Sequence, residues 1–297
     1  MSAKKKRYSE PLSGDIPAGL SSRDFLNYYR ANRSNFDSGS VPGKDAAGGE
    51  SAAPVKKKRG RGDVGSQPGD RGRTAGLRII GGRFKGLRLE YGGDHRVRPM
   101  KDRIRESVFN LMGIYAPGRH VIDLFAGTGA LAFEAISRGA ESATLIEIHF
   151  PSARIIRRNI AVLAEKNPQI PEKIDLTITD VFFWGKELAE HNRAKERGES
   201  VSTSHLRHPL PSDRPWLVFC SPPYDFYVSR QNEMLELLAE LRAAAPAESV
   251  FVIEADRRFD FGLLEVEIPE KKRRSYPPAE IGIFMTGRRE PNESESL

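Results

Sequence analysis

The sequence predicts an α/β fold, a mostly parallel sheet with helices on both faces, on three observations. Short apolar runs alternate with segments of helical spacing from residue 121 onward. The first of these runs passes through Ala126-Gly127-Thr128-Gly129 straight into a helix, the strand–turn–helix unit of open α/β sheets. The last two runs are separated only by a turn-rich basic stretch, so an antiparallel pair closes the sheet.

Ordered sequence is expected from residue 77. Residues 77–90 hold two β-like runs around a glycine turn and read as a hairpin. Its Arg78, Arg83, Lys85 and Arg88 make one face strongly basic. A second segment places Ile104, Val108, Leu111 and Met112 at helical spacing, with Asp102 near the start and Lys101, Arg103 and Arg105 on the polar face. Strands then fit 121–125, 143–148, 174–179, 216–220 and 249–254, and helices fit 130–138, 151–166 and 230–243. Residues 264–268 and 281–286 are the candidates for the closing pair, giving seven strands. Residues 185–215 are polar and carry His191, His205 and His208 at a spacing that matches no metal motif, so they read as an inserted helix and loop.

The chain has 297 residues and a net charge of +7. Residues 1–76 hold 15 Lys/Arg against 8 Asp/Glu, so this segment carries the entire excess. It is rich in Gly, Ser and Pro, cannot bury enough apolar surface to offset chain entropy, and reads as a disordered basic extension. Lys4-Lys5-Lys6-Arg7 and Lys56-Lys57-Lys58-Arg59 suit phosphate backbones or simple solvation. Residues 77–289 form the folded domain, with the hairpin and first helix in 77–118, and 290–297 form a loose acidic tail. No apolar run approaches the roughly 18 residues of a membrane span, and no secretory signal is evident. With Cys220 as the single cysteine, no internal disulfide can form, and a cytoplasmic setting is expected.

Chemistry gathers at the ends of the predicted strands. Gly127 and Gly129 let a ligand approach the main chain, ahead of a helix N-terminus that offers free N–H groups. The third glycine of a dinucleotide fingerprint is Ala132, and there is no P-loop. Asp123 just before the turn suits a ligand with an ammonium group. Glu147, ending an apolar run, can accept from both hydroxyls of a ribose. The run 216–220 leads directly into Ser221-Pro222-Pro223-Tyr224. Prolines fix the backbone so that a carbonyl points into the crevice, with the aromatic Tyr224 next to them.

Asp-Leu-Phe-Ala-Gly-Thr-Gly resembles the D-x-F-x-G-x-G motif of S-adenosylmethionine-dependent amino-methyltransferases. Ser-Pro-Pro-Tyr resembles their D/N/S-P-P-Y/F motif. Taken with Arg78-Ile-Ile-Gly-Gly-Arg-Phe-Lys-Gly, with Arg98-Pro99-x-x-Asp102-Arg-Ile-Arg105-Glu106-x-x-Phe109-Asn110 and with Ser137-Arg-Gly-Ala140, these motifs are similar to those of the bacterial 16S rRNA guanine-N2 methyltransferases of the guanine-966 type. The likeness covers residues 77–287. It implies a Rossmann-like class I methyltransferase fold and methyl transfer from S-adenosylmethionine to the 2-amino group of one guanine in the small ribosomal subunit. It implies a cofactor site of Arg98, Asp123, Phe125, Gly127, Gly129, Glu147 and Asp180. It assigns Ser221, Pro222, Pro223 and Tyr224 to catalysis, and Arg78, Arg83, Lys85, Arg88 and Arg103 to RNA. No metal, no membrane and a monomer are expected.

Asp180 has a second reading, as the N-cap of the helix that follows. Two departures from the family pattern stand out. Ser221 replaces the usual aspartate, and Met100-Lys101 replaces two threonines after Arg98-Pro99. Rival readings are a DNA amino-methyltransferase and a non-catalytic rRNA-binding assembly factor.

Overall fold

The computed structural model describes residues 76–91, 100–199 and 210–287. The basic extension, the acidic tail and Arg98-Pro99 fall outside the described residues.

Among the described residues, seven strands form one sheet in the order β3-β2-β1-β4-β5-β7-β6. β1 (His120–Asp123) lies between β2 (Ser142–Glu147) and β4 (Trp216–Cys220), parallel to both, with Asp123 level with Leu145 and Phe219. β3 (Ile174–Ile178) pairs parallel with β2, and β5 (Val250–Asp256) pairs parallel with β4. β7 (Ala279–Met285) is antiparallel to both β5 and β6 (Arg273–Tyr276). β1 and β4 are buried along their whole lengths, as strands covered on both faces must be.

The two faces have separate apolar cores. On one, Val121, Leu145 and Phe219 pack under α1 (Asp102–Met112), α2 (Ala130–Ser137) and α3 (Phe150–Ala164). After a single turn, α4 (Ile170–Lys173), the chain enters β3. On the other face, Ile122, Val218 and Phe251 meet Trp184 of α5 (Val181–Glu196) and Leu237 of α7 (Gln231–Ala244), with the short α6 (Phe226–Ser229) leading into α7.

Two expectations are corrected. The closing pair uses β6, not residues 264–268. Leu264 ends a 3-10 turn, Phe261–Leu264, and Glu265 adopts a left-handed φ of 50°, which breaks an extended run. Leu264, Val266 and Ile268 still face the core, so their apolar character reflects burial rather than pairing. The basic residues taken for a turn are the edge strand, where charged side chains face water and discourage edge-to-edge pairing. The N-terminal hairpin is reduced to a single antiparallel bridge, Arg78 to Arg88. Ile79 N–H donates to Leu87 at 2.9 Å and Leu89 N–H to Leu77 at 2.8 Å. Leu77, Ile79 and Leu89 are buried, while Arg78 and Arg88 point outward.

Candidate active site

The sheet order reverses at β1, and the crevice outside the carboxyl ends of β1 and β4 lies at that switch point. The glycine loop is tied to the end of β2. Ala126 N–H donates to the Ile146 carbonyl at 3.0 Å, and Gly127 N–H to Glu147 Oε2 at 2.6 Å. Gly127 has φ 56° and Gly129 has φ 77°. At Gly129 a Cβ would lie 2.5 Å from Phe133 Cε2 and 3.2 Å from Leu145 Cδ2, so glycine lets α2 seat against the sheet.

Two buried carboxyl groups, Asp123 and Glu147, lie at the ends of the adjacent strands β1 and β2 beside this loop. Asp123 is 1% exposed, and among the described residues neither carboxyl oxygen makes a hydrogen bond of full geometry, although the Ala132 and Phe125 amides lie near enough to draw its pKa down. Burial raises its pKa to about 7, with the Glu147 charge adding to the shift. Burial likewise raises Glu147 to about 7, against the pull of the His149 and Gly127 amides. His149 N–H reaches Glu147 Oε1 at 2.7 Å. A buried, unsatisfied carboxyl group is costly, and a cationic ligand is the partner that would satisfy it.

Asp180 caps α5. Its Oδ1 accepts from the Phe182 amide at 2.8 Å and the Phe183 amide at 3.2 Å. Its Oδ2 lies 3.5 Å from Arg230 Nη1. Phe125, Phe182 and Phe226 form a ring cluster with centroids 6.0–6.4 Å apart. The Arg230 guanidinium lies 3.8 Å from the Phe182 centroid, a contact that no sequence motif announced.

Ser221 follows β4 directly. Ser221 and Tyr224 are half-buried, Pro222 is buried and Pro223 is exposed. Phe226 N–H donates to the Pro223 carbonyl at 2.9 Å, so the motif turns at once into α6. Tyr224 Oη donates to Glu254 Oε1 at 2.7 Å. Beneath the motif, Cys220 Sγ lies 3.6 Å from Tyr227 Oη, and burial pushes the thiol up to about 12.

Arg78, Arg83, Lys85, Arg88 and Arg103 are all exposed. What fixes the hairpin that carries four of them is a set of polar residues to which the sequence assigned no such role. Glu134, fully buried in α2, accepts from the Ile80 amide at 2.7 Å, the Gly81 amide at 2.8 Å and Arg138 Nε at 2.7 Å. Ser137 Oγ accepts from the Phe84 amide at 2.9 Å, and its carbonyl accepts from the Arg83 amide at 2.8 Å. Gly82, at φ 75°, sits so close to the Ser137 carbonyl that a Cβ there would collide with it. Arg105, expected on the basic polar face of its helix, is instead fully buried, because its guanidinium turns inward to donate to Asp102 Oδ1 at 2.9 Å and to the Arg78 carbonyl at 2.5 Å. Asn159 Oδ1 accepts from the Glu90 amide at 2.6 Å. The signal was present: Glu134 is a lone charge within Ala-Leu-Ala-Phe-Glu-Ala-Ile.

Residues 77–192 match a family profile described as conserved hypothetical protein 95. Ribosomal RNA small subunit methyltransferase D of Escherichia coli (strain K12) is 38% identical over 94 residues, 32% of this chain and 48% of that relative. The chain therefore spans about half the length of that relative. Uncharacterized methylase RP545 of Rickettsia prowazekii (strain Madrid E) is 34% identical over 178 residues, 50% of this chain and 73% of the relative. Among solved structures, the Escherichia coli protein yhhF, a candidate methyltransferase, aligns with a TM-score of 0.50 at 21% identity over 71% of this chain and 98% of that one. That likeness concerns the fold. With the sequence matches, it leads to one conclusion: the chain belongs to the conserved hypothetical protein 95 family and has the class I methyltransferase fold.

Proposed function

We propose that this protein transfers a methyl group from S-adenosylmethionine to the 2-amino group of a guanine in small-subunit rRNA. The observation that carries the reading is Asp123. A fully buried carboxyl group with no positive partner and no hydrogen bond of full geometry among the described residues, only the nearby Ala132 and Phe125 amides, set behind a glycine loop, suits a cofactor that brings positive charge. Gly127 and Gly129 would give the cofactor its close approach to the main chain. Glu147 would accept from its ribose hydroxyls with the lone pairs that the Gly127 and His149 amides leave open. Phe125 and Phe182 offer ring edges, and Asp180, already capping α5, keeps an oxygen toward Arg230. When bound, S-adenosylmethionine supplies an electrophilic methyl group on a sulfonium centre.

The chain's own work at the acceptor is positioning. A base amino group is a weak nucleophile because its lone pair is delocalised into the ring. Ser221 Oγ and the Pro222 carbonyl would accept from the amino hydrogens and turn the lone pair toward the methyl group. Tyr224 would stack on the base once it is out of its helix. Arg78, Arg83, Lys85, Arg88 and Arg103 would contact phosphates and set the register of the RNA.

The test uses small ribosomal subunits from a strain lacking the protein, with duplex DNA alongside. Methylation of one rRNA guanine at N2 is the expected result. Methylation of DNA alone, or no turnover at all, overturns the reading.

A further inference from the structure

The Ser-Pro-Pro-Tyr motif has a neighbour on the next strand. The β4–β5 register sets Cys220 against Ile253, the last pair between these strands, and Ser221 and Glu254 are the residues that follow on each side. The chain thus leaves β4 at a hydroxyl where β5 continues into a carboxylate. That carboxylate is engaged with the motif itself, since Tyr224 Oη donates to Glu254 Oε1 at 2.7 Å. The contact spans 30 positions of sequence and both side chains are only partly buried, so it is a tertiary bond at the mouth of the crevice.

A tyrosine side chain has three staggered χ1 wells, and a partly exposed ring can visit more than one. A charge-assisted O–H to carboxylate bond of this length selects one of them. The hydroxyl is then committed to Glu254, so the tilt of the ring is set from its tip.

We propose that Glu254 is a positioning residue for methyl transfer, holding the Tyr224 ring across the crevice so that the acceptor base finds its stacking surface already oriented. This rests on the methyltransferase reading given above. Glu254 touches neither methyl donor nor base in this role. It acts through Tyr224, so removing either end of the bond must produce the same defect.

The experiment measures single-turnover methylation of small subunits by the full chain at saturating cofactor. Glu254→Ala and Tyr224→Phe should each slow transfer about 10- to 100-fold, the scale of a misplaced reacting group. The double variant should be no slower than the worse single, because both delete one bond. Glu254→Gln should recover most of the rate, since its amide oxygen still accepts from the tyrosine hydroxyl. Cofactor affinity and melting temperature should stay at parental values, which separates positioning from a structural role. If Glu254→Ala does not fold, Tyr224→Phe and Glu254→Gln test the same bond with the carboxylate or its isostere in place. An active parent whose Glu254→Ala or Tyr224→Phe variant is equally fast, or whose two defects multiply, overturns the assignment alone. A parent that methylates no rRNA overturns the underlying reading and this assignment with it.

Discussion

The side-chain amide of Asn159, on α3, donates to the backbone carbonyl of Thr128 at 3.1 Å. Thr128 lies between the two positive-φ glycines, and the same asparagine also holds both backbone groups of Glu90, at 2.6 Å and 3.2 Å. One buried side chain thus fixes the glycine loop and the end of the basic hairpin together.

Asn159→Ala should therefore weaken two things at once. It leaves the Thr128 carbonyl and the Glu90 backbone unsatisfied, at a cost of about 1–3 kcal/mol. Scanning calorimetry should show a melting temperature lower by several degrees, and isothermal titration a weaker cofactor. An unchanged melting temperature would show that water replaces the amide at no cost.

Gly82→Ala should detach function from fold in the opposite sense. The added methyl meets the Ser137 carbonyl, and φ 75° is strained for alanine, so the hairpin must leave its seat. The crevice lies beyond α2 and keeps its cofactor. Binding of small-subunit rRNA should fall at least about tenfold at moderate salt, with a shallower salt dependence, because several phosphate contacts move together. Filter binding across a salt series measures both, and parental RNA affinity would remove the hairpin from the interface.

The pH dependence of cofactor binding should rise through neutrality. Asp123 and Glu147 are both held near 7 by burial, so at pH 6 the ligand-free pair is largely protonated. A cationic ligand favours the ionised Asp123, and affinity should increase as pH passes from 6 to 8. The fold itself behaves in the opposite way. A carboxyl group whose pKa is raised from 3.8 to about 7 contributes stability below the lower value and loses it as pH climbs through the higher one. Asp123→Asn should flatten the affinity profile in titration calorimetry. A slope that survives the substitution assigns the proton elsewhere.

Ser221→Ala should slow methyl transfer while leaving cofactor affinity intact, because the hydroxyl is proposed to act mainly in the transition state. Loss of one such oriented acceptor costs on the order of 10²-fold in rate, and less if the Pro222 carbonyl carries most of the effect. Ser221→Asp should keep or raise the rate. Single-turnover kinetics on purified subunits resolve both, and a Ser221→Ala rate equal to the parent's makes the side chain a spectator.

The parts of the fold that a linear pattern can specify were legible. β1, β2 and β4 are continuous apolar runs because both faces of the sheet are covered, and the glycine turn marks the crevice. What failed was the sheet's edge. Arg273–Tyr276 has no apolar signature because an edge strand needs none, whereas Leu264, Val266 and Ile268 look like a strand but cover the core from a turn. At the site, residue types were readable but partners were not. The two uses of Asp180, ligand acceptor and helix cap, share one sequence signal, and only the Phe182 amide at 2.8 Å shows the cap. Glu134, Arg105 and Asn159 are spent on contacts 27 to 69 positions away, which no local spacing encodes.

Cys220 carries a practical consequence for whoever handles the protein. The only thiol in the chain lies directly before the Ser-Pro-Pro-Tyr motif, fully buried and pushed up to about 12, so at neutral pH the folded molecule offers maleimides almost no thiolate. A cysteine introduced at Arg83 or Lys85 becomes the single addressable position, and a dye or spin label can follow the hairpin without first removing the native residue. Slow modification of Cys220 in the unlabelled chain then serves as a clock for opening of the sheet itself.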